Sequence, residues 1–244
     1  MSDLLKIKVG GNDYLCKFSY PEPLPTGYKR VKYIELNGTG YPITATSFSQ
    51  QSVLHEVQSI DTIELDIYFP NSQVITSTNK FTVWQLRNNG NLWLWNDTID
   101  MKFQEYRQLT LSNLNILGKR ISIKRSARAV KPSDRVPSGY NYVGQLTVDD
   151  VLYEYNRYSS LQSIDLYSQW GDLFLYVGQS KDYSGIAGTK IFKLTMKKYL
   201  TGNIIWDFVP CIRESDSRPG FYDIGHSYFL ISRDTGVWSA GPLA

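Results

Sequence analysis

Residues 63–69 read Ile63-Glu64-Leu65-Asp66-Ile67-Tyr68-Phe69, and apolar side chains occupy every second position. Successive side chains of an extended strand point to opposite faces, so this period of two predicts one apolar face and one polar face. Branched aliphatic and aromatic side chains also pack well on a pleated sheet. The segment is therefore predicted to be a strand that buries one face and exposes the other.

The same period recurs along much of the chain. It is present in residues 121–124, 173–177, 192–197 and 204–209. In the third of these segments it places Phe192 on the same face as Leu194 and Met196, and turn-forming residues such as Asn88-Asn89-Gly90-Asn91 separate the strands. No segment has a convincing helical period. We therefore predict an all-β protein in which antiparallel sheets pack face to face as a two-sheet sandwich.

Composition places the chain among ordinary globular proteins. Of its 244 residues 42% are hydrophobic and 20% are charged, and one main domain of this length can bury a large core. The net charge of +3 is too small to imply a nucleic-acid partner. No apolar run approaches the ~20 residues that cross a bilayer, and the first residues lack the apolar core of a secretion signal. We expect a soluble protein, without membrane insertion, that is made in the cytoplasm.

The first 20 residues are predicted to form a β-hairpin around Gly10 and Gly11, since short alternating runs lie on both sides of this turn. An isolated hairpin is marginally stable in water, so we expect it to dock on another protein. Residues 21–27 contain three prolines and are predicted to be a stiff linker, which leaves residues 28–244 as the sandwich domain. The residues expected to anchor the hairpin to a partner are Leu5, Ile7, Val9, Tyr14 and Phe18.

Two segments resemble a known family. Residues 24–41 read LPTGYKRVKYIELNGTGY, and a second set runs from Ile191 through Asp207-Phe208-Val209-Pro210-Cys211 and Pro219-Gly220-Phe221-Tyr222-Asp223 to Ala240-Gly241-Pro242. They resemble the opening and closing motifs of the concanavalin-A-like (laminin-G-type) domains of phage and prophage virion proteins, in the same order. The resemblance implies a jelly-roll sandwich over residues 24–244. Within the closing motif we expect Pro210 to end its strand, because proline cannot donate a hydrogen bond to a ladder.

The resemblance also implies a function. We expect a non-enzymatic virion surface protein, such as a capsid decoration, head fibre or tail-tip component, made in the cytoplasm of a host bacterium. Its partners would be other virion proteins, through the hairpin, and host surface glycans, and we expect a homo-oligomer. The alternatives are a free carbohydrate-binding lectin and, less favoured, a glycoside hydrolase.

The hydrolase alternative depends on Glu64 and Asp66, which match part of the catalytic strand of laminarinase-type enzymes. Retaining glycosidases need two carboxyl groups about 5 Å apart, and the second glutamate of that strand is missing here. His55 and His226 are the only histidines, and no nucleophile elbow or zinc-ligand pattern accompanies them. We predict no catalytic residue and no cofactor.

Two sets of residues are candidates for binding. Flat indole faces stack on sugar rings and amides bond sugar hydroxyls, so a glycan site is predicted at Trp84, Asn91, Trp93, Trp95 and Asn96, although the indoles could instead fill the core. A basic stretch could meet an acidic partner or an anionic glycan, or be a solvated strand and loop. Its members are Lys119, Arg120, Lys124, Arg125, Arg128 and Lys131.

Calcium and a disulfide are weaker expectations. Sandwich lectins often bind calcium through loop oxygens, which Asp149 and Asp150 or residues 97–100 could supply, although neither loop has dense carboxylate spacing. Cys16 and Cys211 could form one long-range disulfide, but two buried thiols are favoured.

Overall fold

The computed structural model consists of β-strands and turns, with no helix among the residues it describes. These are residues 4–9, 12–17, 23–37, 60–71, 81–86, 91–95, 98–104, 107–134, 141–154, 175–177, 187–231 and 238–244. The first nine strands are β1 (Leu4–Val9), β2 (Asn12–Lys17), β3 (Tyr28–Arg30), β4 (Ile34–Leu36), β5 (Thr62–Tyr68), β6 (Phe81–Leu86), β7 (Asn91–Trp95), β8 (Thr98–Gln104) and β9 (Arg107–Leu111). The remaining strands are β10 (Arg120–Ala129), β11 (Tyr142–Val148), β12 (Val151–Glu154), β13 (Leu175–Val177), β14 (Lys190–Lys197), β15 (Ile204–Arg213), β16 (Arg218–Asp223), β17 (Tyr228–Ile231) and β18 (Trp238–Ala240). The all-β prediction is confirmed, and nothing helical in this part of the chain is long and apolar enough to cross a membrane.

The predicted N-terminal hairpin is present. Strands β1 and β2 pair antiparallel from Leu4 opposite Lys17 to Val9 opposite Asn12, and they form a two-stranded sheet of their own. The predicted anchor residue Phe18 lies outside the described residues.

The large sheet has eleven strands, and β5 lies at its centre. Its main path runs β12-β11-β10-β5-β14-β15-β16-β17, and β3, β4 and β18 pair beside this path. Every strand pair in the sheet is antiparallel, and Leu65 of β5 lies opposite Ile123 of β10 and Leu194 of β14. The strand predicted at residues 63–69 is therefore the one around which the sheet is built.

A second, five-stranded sheet packs on this one. Its order is β13-β6-β7-β8-β9. Ile63, Leu65 and Ile67 of β5 are at most 2% exposed, and they belong to the same buried cluster as Ile99 and Met101 of β8. Each such side chain gains roughly 1.5–3 kcal/mol on burial, so the shared core holds the two sheets together. The arrangement is that of an antiparallel β-sandwich.

Pro210 does not end its strand, contrary to the prediction. Strand β15 continues through it to Arg213. The residues before Pro210 pair with β14 up to Phe208, whereas those after it pair with β3 from Cys211 onwards. Pro210 lies at this change of neighbour, where its carbonyl oxygen accepts a hydrogen bond from Val31 N at 3.0 Å. A missing N–H is tolerated there because the ladder on that side changes partner.

The predicted face of Phe192 is also wrong. The pairing of β14 with β5 shifts register between Ile191, opposite Ile67, and Lys193, opposite Asp66. Such a β-bulge inserts one extra residue and reverses the alternation beyond it. Ile191 and Leu194 are buried, while Phe192 between them is only half-buried. The bulge therefore removes Phe192 from the core.

Candidate functional site on the outer face of the large sheet

The outer face of the large sheet carries the polar residues of the central strands. Along β5 burial alternates at every position, with Glu64, Asp66 and Tyr68 half-buried between fully buried neighbours. The register places Lys124 and Thr195 opposite Glu64, and it places Ser122 and Lys193 opposite Asp66. None of these four cross-strand neighbours is an acid.

Glu64 is held by two lysines. Its carboxylate accepts a hydrogen bond from Lys197 Nζ at 2.8 Å, and Lys124 Nζ lies 3.7 Å away. Burial alone would raise the pKa of Glu64, but the hydrogen bond from Lys197 and the nearby positive charges outweigh it and leave the pKa below its ordinary value. A general acid in glycoside hydrolysis needs the opposite shift.

Asp66 is paired in the same way. Arg120 Nε donates to Asp66 Oδ1 at 2.8 Å, and Arg120 Nη2 donates to Asp66 Oδ2. This two-pronged geometry is the strongest form of a carboxylate–guanidinium contact, and it raises the pKa of Arg120. Both carboxylates of the strand are therefore neutralised by cations on adjacent strands.

The basic stretch of the sequence does not form a basic patch. Arg120 and Lys124 carry the ion pairs already described, and Arg128 is bound on both sides by acids. Arg128 Nε lies 2.6 Å from Glu154 Oε1, and Arg128 Nη1 lies 2.6 Å from Asp134 Oδ2. These hydrogen bonds lower the pKa of Asp134 to about 2 and also lower that of Glu154.

Arg125 is on the opposite face, inside the sandwich, so neither the partner-binding nor the solvated interpretation of the stretch applies to it. Only 1% of it is exposed, and Nη1 donates to the backbone oxygen of Asp61 at 3.5 Å. Burial lowers its pKa to about 10, and the charge of Asp61 partly offsets the shift. Asp61 is equally buried, and its carboxylate accepts from Tyr199 N at 3.0 Å and lies 3.7 Å from Lys198 Nζ. Arg125 is therefore a buried cation of the core, in contact with the backbone of Asp61 and partly compensated by the charge of its carboxylate.

The predicted glycan site lies in the smaller sheet, on strands whose side chains are outside the described residues. Trp84 is in β6, and Asn91, Trp93 and Trp95 are in β7. Trp93 lies opposite Asp100 and Trp95 opposite Thr98, and both of these β8 residues are buried, at 0% and 7% exposure. Asn96 is outside the described residues, so the glycan site stays a prediction.

Of the aspartates considered for calcium, Asp149 has a backbone partner and Asp100 is deeply buried, while Asp97 lies outside the described residues. Asp149 and Asp150 both have positive φ, at 44° and 67°, and together they form the turn between β11 and β12. Asp149 Oδ1 accepts a hydrogen bond from Ser122 N at 2.8 Å. Asp100 is buried and accepts a hydrogen bond from Thr110 Oγ1 at 3.0 Å. Within the described residues no three acidic, histidine or cysteine side chains come together as metal ligands.

His226 belongs to a turn between β16 and β17 that is organised by a buried carboxylate. Its Nδ1 lies 2.6 Å from Asp223 Oδ2, and Asp223 Oδ1 accepts from Asp207 N at 3.1 Å and from Gly225 N at 3.3 Å. Burial raises the pKa of Asp223, against the opposing effect of these hydrogen bonds. The contacts give Asp223, part of the closing motif, a structural role; His55 lies outside the described residues.

Cys211 is a free thiol in the core. It is fully buried, and burial raises its pKa to about 12, so it carries no thiolate at neutral pH. The buried-thiol prediction is confirmed for this residue, while the side chain of Cys16 is outside the described residues.

One group on the outer face was not predicted. Three half-buried aromatic rings and two cations meet beside Asp66, and we call them the aromatic–cation cluster. Its members are Tyr33, Tyr68, Arg120, Lys190 and Phe192. Strict alternation along β14 places Phe192 on the same face as the core residues Leu194 and Met196. The bulge at Phe192 breaks this alternation, so the sequence pattern alone does not place Phe192 beside Lys190 on the outer face.

The sequence matches no protein-family model, and no curated protein is significantly similar to it.

Proposed function

We propose that this chain is a non-catalytic virion surface protein of the concanavalin-A-like jelly-roll type. In this proposal the sandwich presents the outer face of its large sheet, and the N-terminal hairpin attaches it to the particle. The opening and closing motifs, which resemble those of phage and prophage virion proteins, support the family. The two-sheet antiparallel architecture is compatible with it.

The observation that carries the non-catalytic part is the charge arrangement around Glu64 and Asp66. Lysine, threonine and serine lie opposite these carboxylates, and the acids are bound to Lys197 and Arg120. Glycoside hydrolysis requires a second carboxyl group facing the first, with one of the two holding its proton at neutral pH. On this face both carboxylates are instead paired with cations, which suits a solvated, presented surface.

The hairpin supports the attachment role. It forms a separate two-stranded sheet and is followed by a segment containing Pro21, Pro23 and Pro25. A strand pair with free edges can add to the sheet of a partner, whose backbone groups then complete its hydrogen bonds. We also expect the protein to be a homo-oligomer on the particle, with size-exclusion chromatography and light scattering as the check.

Deletion of residues 1–20 tests the attachment. In a phage that carries this gene, mass spectrometry of purified particles should find the full-length protein and lose the truncated one, while the free truncated domain keeps its strand-rich circular-dichroism spectrum. Ile7→Asp should also reduce incorporation, because charge opposes docking of an apolar strand. The matched control Lys8→Asp alters the neighbouring polar position and should incorporate normally. Normal copy number of the truncated protein would refute the attachment role.

A free lectin is the alternative function, and the aromatic rings on the outer face are the observation that favours it. It predicts a protein that is absent from purified particles yet binds immobilised glycans. The variants Trp93→Ala and Trp95→Ala would show whether that binding uses the predicted indole site. Release of reducing ends from a host polysaccharide, abolished by Glu64→Gln, would instead revive the hydrolase.

A further inference from the structure

The aromatic–cation cluster is a continuous surface across three strands of the large sheet and the chain segment before β4. The guanidinium carbon of Arg120 lies 3.9 Å from the ring centroid of Phe192, and the rings of Tyr33 and Phe192 meet edge to face with 5.3 Å between their centroids. Lys190 Nζ lies 4.9 Å from the ring centroid of Tyr33 and 5.5 Å from that of Tyr68. These cation–ring contacts hold the long side chains of Arg120 and Lys190 in fixed places.

Arg120 keeps hydrogen-bonding capacity beyond its ion pair. Asp66 occupies two of its N–H groups, whereas a guanidinium has five donors. The side chain is 56% exposed, so solvent or a ligand reaches it. Its position is pre-set by the carboxylate on one side and the Phe192 ring below, which reduces the entropy lost when it binds a further group.

The local charge favours an anion. Three cations, Arg120, Lys190 and Lys193, face two acids, Asp66 and Glu35, which leaves one positive charge in excess. Lys190 contacts Glu35 only at 3.8 Å, a distance beyond an ordinary hydrogen bond. A ligand carboxylate can therefore bind between Arg120 and Lys190 without displacing a short ion pair of the lysine.

We propose that the aromatic–cation cluster binds a carboxylate-bearing sugar. Arg120 and Lys190 bind the carboxylate through charge-assisted hydrogen bonds, and the rings of Tyr33 and Tyr68 supply apolar surface for the C–H groups of the sugar ring. The Phe192 ring, which the guanidinium covers, holds Arg120 in place. The requirement for both features separates this ligand from a neutral glycan, which needs no excess charge, and from a simple anion, which needs no rings. That such a sugar comes from a host surface rests on the surface-presenting role proposed above. The chemistry of the binding site does not depend on that role.

The test uses the full chain and three soluble probes: oligogalacturonate, oligomannuronate and α2,8-linked oligosialic acid. Isothermal titration calorimetry should detect binding of at least one of these probes. The methyl ester of that probe keeps its sugar rings but loses its negative charge, so it should bind at least tenfold more weakly. Arg120→Gln and Lys190→Gln should each weaken binding by about tenfold, since each removes a charge-assisted contact. Arg120→Lys keeps the charge but loses the planar fork, so its loss should be smaller than that of Arg120→Gln.

Lys124→Gln is the matched control. Lys124 lies on the same strand and face as Arg120 and pairs with a carboxylate, Glu64, yet it is not part of the cluster. The affinity of the Lys124→Gln variant for the probe should stay within about twofold of wild type, because a more distant exposed charge is screened by salt. Unchanged circular-dichroism spectra and melting temperatures will verify that the variants are folded.

The proposal would be overturned by no binding of any acidic probe, by an equal loss of affinity in Lys124→Gln, or by equal binding of the methyl ester. Tighter binding of single-stranded DNA than of every sugar, with the same variant pattern, would assign the site to phosphate instead. Measuring the incorporation of Arg120→Gln into particles separates this test from that of the proposed function, because incorporation reports on attachment and not on sugar binding. A variant that is incorporated normally but lacks sugar binding supports both, whereas incorporation with no sugar binding even in wild type refutes the site alone.

Discussion

Arg125 and Arg128 lie three residues apart on β10 and have opposite environments. Arg125 points into the sandwich, where 1% of it is exposed and Asp61 is its charge partner. Arg128 is on the outer face, where Glu154 and Asp134 bind it from two sides within reach of solvent. An odd spacing along a strand changes the face, so adjacent basic residues of a sequence need not form one basic surface. The inner arginine contributes to the core, and the outer one to a surface network.

The largest expected effect comes from breaking the inner pair. Asp61→Asn removes the carboxylate charge that partly offsets the burial of Arg125, together with the ion pair to Lys198. Removing one of two opposite buried charges typically lowers the free energy of unfolding by about 3–5 kcal/mol. Urea denaturation should show a large drop in the midpoint. The double variant Asp61→Asn/Arg125→Met should recover much of the loss, since it removes the stranded charge and fills its volume. A single-variant loss no larger than that of an outer-face pair would show that the inner pair is not buried as described.

The next effect compares two neighbours on the same strand. Ile123 is fully buried against the second sheet, whereas Lys124 is on the outer face. Ile123→Ala should lower the free energy of unfolding by about 2–5 kcal/mol, because it leaves a cavity in the shared core. Lys124→Ala should change it by no more than about 0.5 kcal/mol. Similar losses for the two variants, measured by the same denaturation, would contradict the assignment of faces on β10.

Much of the fold was predictable because it depends on local alternation. The strand predicted at residues 63–69 is observed as β5 (Thr62–Tyr68) with the predicted inner and outer faces, and β1 and β2 pair as the predicted hairpin. The ion pairing of Glu64 and Asp66 was not predictable, because their partners on β10 and β14 lie between 54 and 133 residues away along the chain. The sequence shows that the second glutamate of the catalytic strand is missing, but it does not show which cations pair with Glu64 and Asp66.

Two of the errors have a common cause, since both concern a departure from regular pairing. Phe192 was assigned to the core by simple alternation, and one extra residue in the β14–β5 pairing moves it out. Pro210 was expected to stop β15, and a change of neighbouring strand accommodates it instead. Bulges and changes of neighbour arise from contacts between distant segments. The aromatic–cation cluster depends on such a bulge, which is why sequence reasoning did not find it.

A smaller effect concerns acid stability of the outer network. Arg128 holds the pKa of Asp134 at about 2 in the folded state, below its ordinary value of 3.8, and it also lowers the pKa of Glu154. A depressed folded-state pKa contributes stability that is complete above the ordinary value and is lost as the pH falls through the folded value. Wild type should therefore lose this contribution between about pH 4 and pH 2. Arg128→Gln should be less stable at pH 7 and show a flatter decline over that window, as followed by denaturation midpoints, and parallel wild-type and variant curves would rule the network out.

The smallest expected effect is also the one that bears most directly on catalysis. Glu64 has a lowered pKa because Lys197 at 2.8 Å and Lys124 at 3.7 Å favour its charged form over the opposing effect of burial. Lys197→Gln should raise this pKa more than Lys124→Gln, since the hydrogen-bonded lysine is closer, and the stability change should stay below about 1 kcal/mol for such partly exposed pairs. Carboxyl-detected NMR titration would measure all three values. A wild-type pKa above the ordinary range would mean that Glu64 holds a proton near neutral pH, and the outer face would then have the general acid that the hydrolase mechanism requires.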